Sequence, residues 1–140
     1  MSTIVTRAGK GSPLTHTEVD ANFTNLNTDK AGYITGEGGT VTQATSKSTG
    51  VTLSKKCGTI TMNNAALAAD GIVSFTLTNT TIAATDVIVL NHASAGTAGK
   101  YALNAAAGAG SAVITVTNIS AGSLSEAIVI RFAVIKAVTA

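Results

Sequence analysis

Two histidines and four carboxylates outside the N-terminal stretch are the groups from which this 140-residue chain could build a reactive centre. A Ser-His-Asp relay can be written from Ser94, His92 and Asp86, with the imidazole taking the serine proton and the carboxylate holding the ring. No strand-turn-helix serine motif frames Ser94, and adjacency in sequence does not create relay geometry. His16 stands between Thr15 and Thr17, and His92 lies in a Gly/Ala/Ser stretch. Neither has a second histidine at metal-ligand spacing, so each is expected to be solvated or locally hydrogen-bonded. Hydrolysis of a glycan would need two of Glu37, Asp70, Asp86 and Glu126 at a defined separation. Asp70 before Gly71 and Asp86 at a strand start read as turn residues, and Glu37 and Glu126 as ordinary exposed positions.

The remaining motifs are weaker. Gly36-Glu37-Gly38-Gly39 lacks the Lys-Ser/Thr ending of a phosphate-cradling loop and precedes a strand, so it reads as a hinge. Asp20-Ala21-Asn22 begins like a calcium loop but lacks the glycine and the terminal glutamate. Cys57 is the single cysteine, which excludes an intrachain disulfide or a cysteine zinc cage and predicts a small buried thiol. Asn79-Thr80-Thr81 and Asn118-Ile119-Ser120 fit the glycosylation pattern, but without a secretory signal they read as chance matches. No catalytic, cofactor-binding or metal-ligating residue is assigned; the chain is expected to be a non-enzyme without cofactors.

Composition points to burial between chains. Charged residues make up 11% and hydrophobic residues 45%, with a mean hydropathy of +0.37. An average soluble protein is about 25% charged, so too little surface is ionic for a comfortable monomer. Thr, Ser, Asn, Ala and Gly replace the charge and suit strands with neutral outer faces. The net charge is only +2, and Lys55-Lys56 is the one basic cluster; with three Phe, two Tyr and no Trp there is little material for a nucleic-acid surface. Met1 opens no charged and then apolar leader, and no apolar run is long enough to span a bilayer, so no membrane partner is expected and synthesis in a cytoplasm is.

The elements that must position all this fall into three parts. Residues 1–31 form an arm in which 1–11 read as extended or flexible. Ser12 and Pro13 then set up a helix that ends near Asp29, with Thr15 and Glu18 at capping-box spacing. Val19, Phe23 and Leu26 share one helix face, with Leu14 ahead of them, and an isolated helix this short needs that stripe covered. Residues 32–39 read as a glycine-rich hinge, and 40–140 as a β domain. Ile72–Thr78 alternates most cleanly, with Val73, Phe75 and Leu77 inward. Weak strands are expected at Val41–Ala44, Thr49–Ser54 and Thr59–Met62, and further strands at Asp86–Asn91, Lys100–Ala105 and Ala112–Thr117. His92–Gly99 reads as a small-residue loop and the alanine-rich run Ala105–Gly110 as a turn. In Glu126–Val138, Ile128, Ile130, Phe132 and Val134 fill one face. Val129, Ala133 and Ile135 line the other, broken by Arg131, so this second face is the expected subunit interface. The fold class is mainly β: an antiparallel β-sandwich of jelly-roll type behind an N-terminal arm with a short helix.

The string GSPLTHTEVDANFTNLNTDK resembles the N-terminal segment of tailed-bacteriophage virion proteins, fibre proteins especially, over roughly the first fifth of the chain. From TVTQATSKSTGVTL to SEAIVIRFAVIKAVTA, the remainder resembles a β-rich domain of phage structural proteins. The resemblance implies a virion component and a homotrimer, with phage capsid or tail proteins as partners. The short length favours a capsid decoration or cement protein, assembled in the host cytoplasm and attached by Leu14, Val19, Phe23 and Leu26. The alternative is a short tail fibre or adhesin whose distal loops would meet a host surface glycan or protein; a depolymerase-like enzyme is the third.

Overall fold

The computed structural model describes residues 4–28 and 36–137. Two helices, α1 (Arg7–Lys10) and α2 (His16–Thr28), precede eight strands. The strands are β1 (Thr40–Thr42), β2 (Val51–Thr52), β3 (Cys57–Thr61), β4 (Ile72–Thr78), β5 (Val87–Ser94), β6 (Tyr101–Gly108), β7 (Ser111–Asn118) and β8 (Val129–Ile135). They form two four-stranded mixed sheets, ordered β1-β3-β8-β5 (sheet A) and β2-β4-β7-β6 (sheet B).

A purely antiparallel jelly roll is not what forms, because β1 pairs with β3 in parallel, and β2 with β4. The cause lies in the path of the chain. From β1 to β6 every connection changes sheet, so each strand's next neighbour in sequence lies in the other layer. A chain that crosses over and returns to the first layer arrives pointing the way it left, and its short strands pair in parallel. Among the described strands only β6 and β7 make a hairpin within one sheet, turning at Ala109-Gly110 with Gly110 at φ 72°.

One buried cluster joins both sheets. Ile60, Ile130, Phe132 and Val134 come from sheet A; Val51, Phe75, Leu77, Ile114 and Val116 come from sheet B. The alternation expected for Ile72–Thr78 holds residue for residue, with Ser74, Thr76 and Thr78 exposed. Ile128, Ile130, Phe132 and Val134 point into the core as expected, although the strand itself begins at Val129.

Local departures have local causes. His92–Ser94 belongs to β5 and Ala105–Gly108 to β6, because ladder partners on β8 and β7 extend both strands past the small-residue signals. Residues 7–10 are not extended: Thr6 Oγ1 accepts the Gly9 N–H at 3.1 Å, and Gly11 at φ 72° closes the turn by donating to Arg7 O. Within the expected hinge, residues 32–35 lie outside the described residues. Residues 36–39 are fixed to the body, since Lys55 Nζ donates to Gly36 O at 2.7 Å and Thr59 N to Gly39 O at 2.8 Å.

Candidate functional site

The arm is a small folded unit. Glu18 N donates to Thr15 Oγ1 at 3.2 Å while Thr15 N donates to Glu18 Oε2 at 2.8 Å, which is the reciprocal bonding of a capping box. Lys10 Nζ bonds the same carboxylate at 2.6 Å. The Lys10 ammonium and the Thr15 donors hold the Glu18 pKa down to about 2. Asn22 adds a clip that the sequence reading missed. Its Oδ1 accepts Val5 N at 2.8 Å and its Nδ2 donates to Val5 O at 2.7 Å, so one side chain replaces a ladder neighbour for the extended residues ahead of α1.

This bonding leaves the apolar stripe open. Val19, Phe23 and Leu26 are 36%, 69% and 52% exposed, Ile4 beside the Asn22 clip is 47% exposed, and Leu14 is half-buried. Among the described residues the ion pair of α2 runs to Lys10, within the arm itself.

The outer face of sheet A is the second exposed apolar surface. Register places Val89, Ala133 and Cys57 in one row across β5, β8 and β3, with Val87 beside Ile135 in the next row. Val87, Val89 and Ile135 are each about half exposed. The polar row of Asn91, Arg131, Thr59 and Thr40 follows. Arg131 is exposed and has no acidic partner among the described residues. Val129 and Ala133 are half-buried, so the four expected interface residues do share one outward face. Cys57 is half-buried and outward-facing, not buried, because the inward position of that register belongs to Gly58. A shallow depression of about 380 Å³ opens there, lined by Gly38, Gly39, Cys57, Gly58, Thr59 and Arg131 among others. Side chains at Gly39 and Gly58 are impossible without movement: a Cβ on either would lie 2.7 Å from Leu53.

Asp86 accepts Ala83 N at 2.7 Å and bonds Lys136, ahead of β5, while His92 sits towards its far end with Nε2 bonded to Ala95 O at 2.6 Å. Five strand residues separate them, or roughly 20 Å at strand rise, so the relay with Ser94 is not assembled. Burial raises the Asp86 pKa, but the Ala83 N–H and the Lys136 ammonium outweigh it and leave the carboxyl below its ordinary value. Asp70 is a turn residue at φ 54°. Glu37 is half-buried, 4.0 Å from Lys56. Glu126 is not an ordinary exposed position: it accepts Thr97 Oγ1 at 2.7 Å, Thr97 N at 3.0 Å and Tyr101 OH at 2.8 Å. Those donors lower its pKa, and burial together with Glu126 raises that of Tyr101. Among the described residues no group of three or more His, Cys, Asp or Glu is placed to hold a metal ion, and no helix is long and apolar enough to cross a membrane.

Both apparent glycosylation motifs are internal brackets. Asn79 and Asn118 are fully buried, and each Oδ1 accepts the N–H and hydroxyl of the residue two ahead, Thr81 or Ser120. Their amides donate inward, Asn79 to Lys55 O and Asn118 to Leu67 O, Ala68 O and Gly122 O. Asn-x-Ser/Thr is also the signature of an Asx turn, which is how both sites use it. Compared with known families, characterised proteins and solved structures, the chain finds no match in any of the three.

Proposed function

We propose that the chain is a non-enzymatic structural protein of a tailed-phage virion, a homotrimer that decorates and clamps the capsid and is held there by its N-terminal arm. The observation that carries this reading is a capped, pre-folded helix whose apolar stripe stays exposed. A folded docking element loses less conformational freedom on binding than a disordered one, so more of its contact area becomes affinity. The arm's wording, similar to phage virion segments, gives the partner class.

The body suits a clamp. Its outer faces are nearly neutral, and its loops have few of the Trp, Tyr and Arg residues that usually supply receptor hot spots. Repetition over a lattice multiplies modest single contacts, so copies bridging neighbouring capsomers would resist expansion by packaged DNA. In the second reading, a short tail fibre, the same arm docks on the tail; the fibre-type wording of GSPLTHTEVDANFTNLNTDK favours it.

Particles lacking the protein separate the two. Decoration expects normal adsorption to host cells with earlier DNA release on heating. Unchanged thermal DNA retention together with lost adsorption overturns decoration in favour of the fibre.

A further inference from the structure

The chain carries two exposed apolar surfaces of matching length and opposite charge. The α2 stripe from Val19 to Leu26 spans eight residues, about 10 Å at helical rise. The row Val89–Ala133–Cys57 crosses three strands, also about 10 Å at sheet spacing, and ends in the depression beside Gly38 and Gly58. Between His16 and Thr28 the only charged residues are Glu18 and Asp20. Glu18 is held by Lys10 and Thr15, while Asp20 stands next to Val19 on the flank of the stripe. Among the outward strand residues of sheet A, Arg131 is the only charged one, and it sits one row from Ala133.

We infer that, before the arm engages a particle, the α2 stripe of one copy is sheltered on the outer face of sheet A of a second copy, with Asp20 set against Arg131. The inference rests on reading α2 as the attachment helix, and it names what covers that helix until then. A second copy is favoured over the chain's own face because the single chain leaves both surfaces open, although only residues 29–35 separate α2 from the fixed segment at Gly36. A head-to-tail contact of this kind joins different patches on successive copies and closes into a ring when the rotation allows, which suits a trimer. It also gives Val129, Arg131, Ala133 and Ile135 a specific occupant. Attachment then becomes an exchange: the particle must offer the stripe a better groove than the neighbouring copy does.

The native Cys57 reports on this directly. In full-length Val19→Cys protein, mild copper oxidation or a short bismaleimide should give covalent species larger than one chain, at a yield well above that of Ala21→Cys, whose new thiol faces the opposite side of α2. Arg131→Asp should reduce the cross-linking by roughly two- to fivefold, the size of an exposed ion pair. Combining it with Asp20→Arg should restore the yield. A yield no higher than the Ala21→Cys control, or cross-linking confined within single chains, overturns the inference. Particle occupancy by wild-type protein and by protein lacking residues 1–31 is read separately. Absent cross-linking with arm-dependent occupancy removes only the sheltered state. Interchain cross-linking with full occupancy by the truncated protein removes the attachment reading instead.

Discussion

Asn118→Ala tests whether the two Asx brackets hold the body together. Asn118 ends β7 fully buried, and its amide reaches Gly122 O at 2.8 Å, Ala68 O at 2.9 Å and Leu67 O at 3.0 Å. Those carbonyls are not stranded by the substitution. Leu67 O also receives Leu124 N, Ala68 O receives Gly71 N, and Gly122 O receives Ser120 Oγ. The cost is therefore set by the lost bonds: two amide N–H donors and the acceptor that held Ser120, at about 1 kcal/mol net for each, or about 2–4 kcal/mol in all. For a body of this size that lowers Tm by roughly 10–20 °C. Thermal and urea unfolding of the full chain should show it. Asn118→Asp sharpens the test, since it keeps the shape and the Oδ1 acceptor but turns a carboxylate oxygen toward the carbonyls. It should be less stable than Asn118→Ala at neutral pH and recover as acid protonates it. A loss below about 1 kcal/mol for alanine, or wild-type stability for aspartate at neutral pH, would refute the bracket.

Three further outcomes are expected. Ile130→Asp should abolish folding, because the side chain is 0% exposed and an unpaired carboxylate there costs several kcal/mol; a soluble, cooperatively unfolding variant would contradict the core assignment. Glu18 titrates at about 2, so its contribution to the capping box is complete above its ordinary pKa near 4.5 and fades as pH falls through about 2. The Thr15 amide resonance should follow that low midpoint, and one near 4.5 would rule the bond out. Phe23→Ala should weaken particle attachment by about 1–3 kcal/mol if Phe23 is the central anchor, and equal occupancy at limiting protein would exclude that role.

What could be read from the sequence was what short-range patterning encodes. The capping box involves residues three apart, and β4 alternates because one face is buried, so both are visible in a short window. The parallel edges were not visible. β1 and β2 have three and two residues, and a strand that short carries no mark of its direction, which the crossings between layers decide. Lys47 shows the same limit for a polar group. Nothing nearby in sequence predicts that it is buried, with Nζ donating at 2.6 Å to Asn63 O and to Glu126 O, the latter 79 residues away. Burial lowers its pKa, although Glu126 opposes the shift. In the arm, residues 1–11 read as extended or flexible, yet Thr6 and Gly11 cap a single helical turn there, a unit too short to leave a periodic signal.

The shortage of charge has a structural consequence beyond composition. Lys47 and Lys55 cap backbone carbonyls, Lys136 holds Asp86, Glu37 lies against Lys56, and Glu126 pins Thr97 and Tyr101. Most of the body's few ions thus brace loops against strands and do not decorate the sheet faces. An outer face without charge has little desolvation penalty to oppose burial, since removing ions from water is what makes polar surfaces resist association. On sheet A the exception is Arg131, placed between an apolar half and a hydroxyl-rich half. A guanidinium with no acidic partner among the described residues adds little to the stability of a single chain, yet it can select an acidic partner and fix the direction in which that partner lies. Neutralising Arg131 should therefore leave Tm nearly unchanged while altering which copies associate, a separation that a purely structural arginine would not produce.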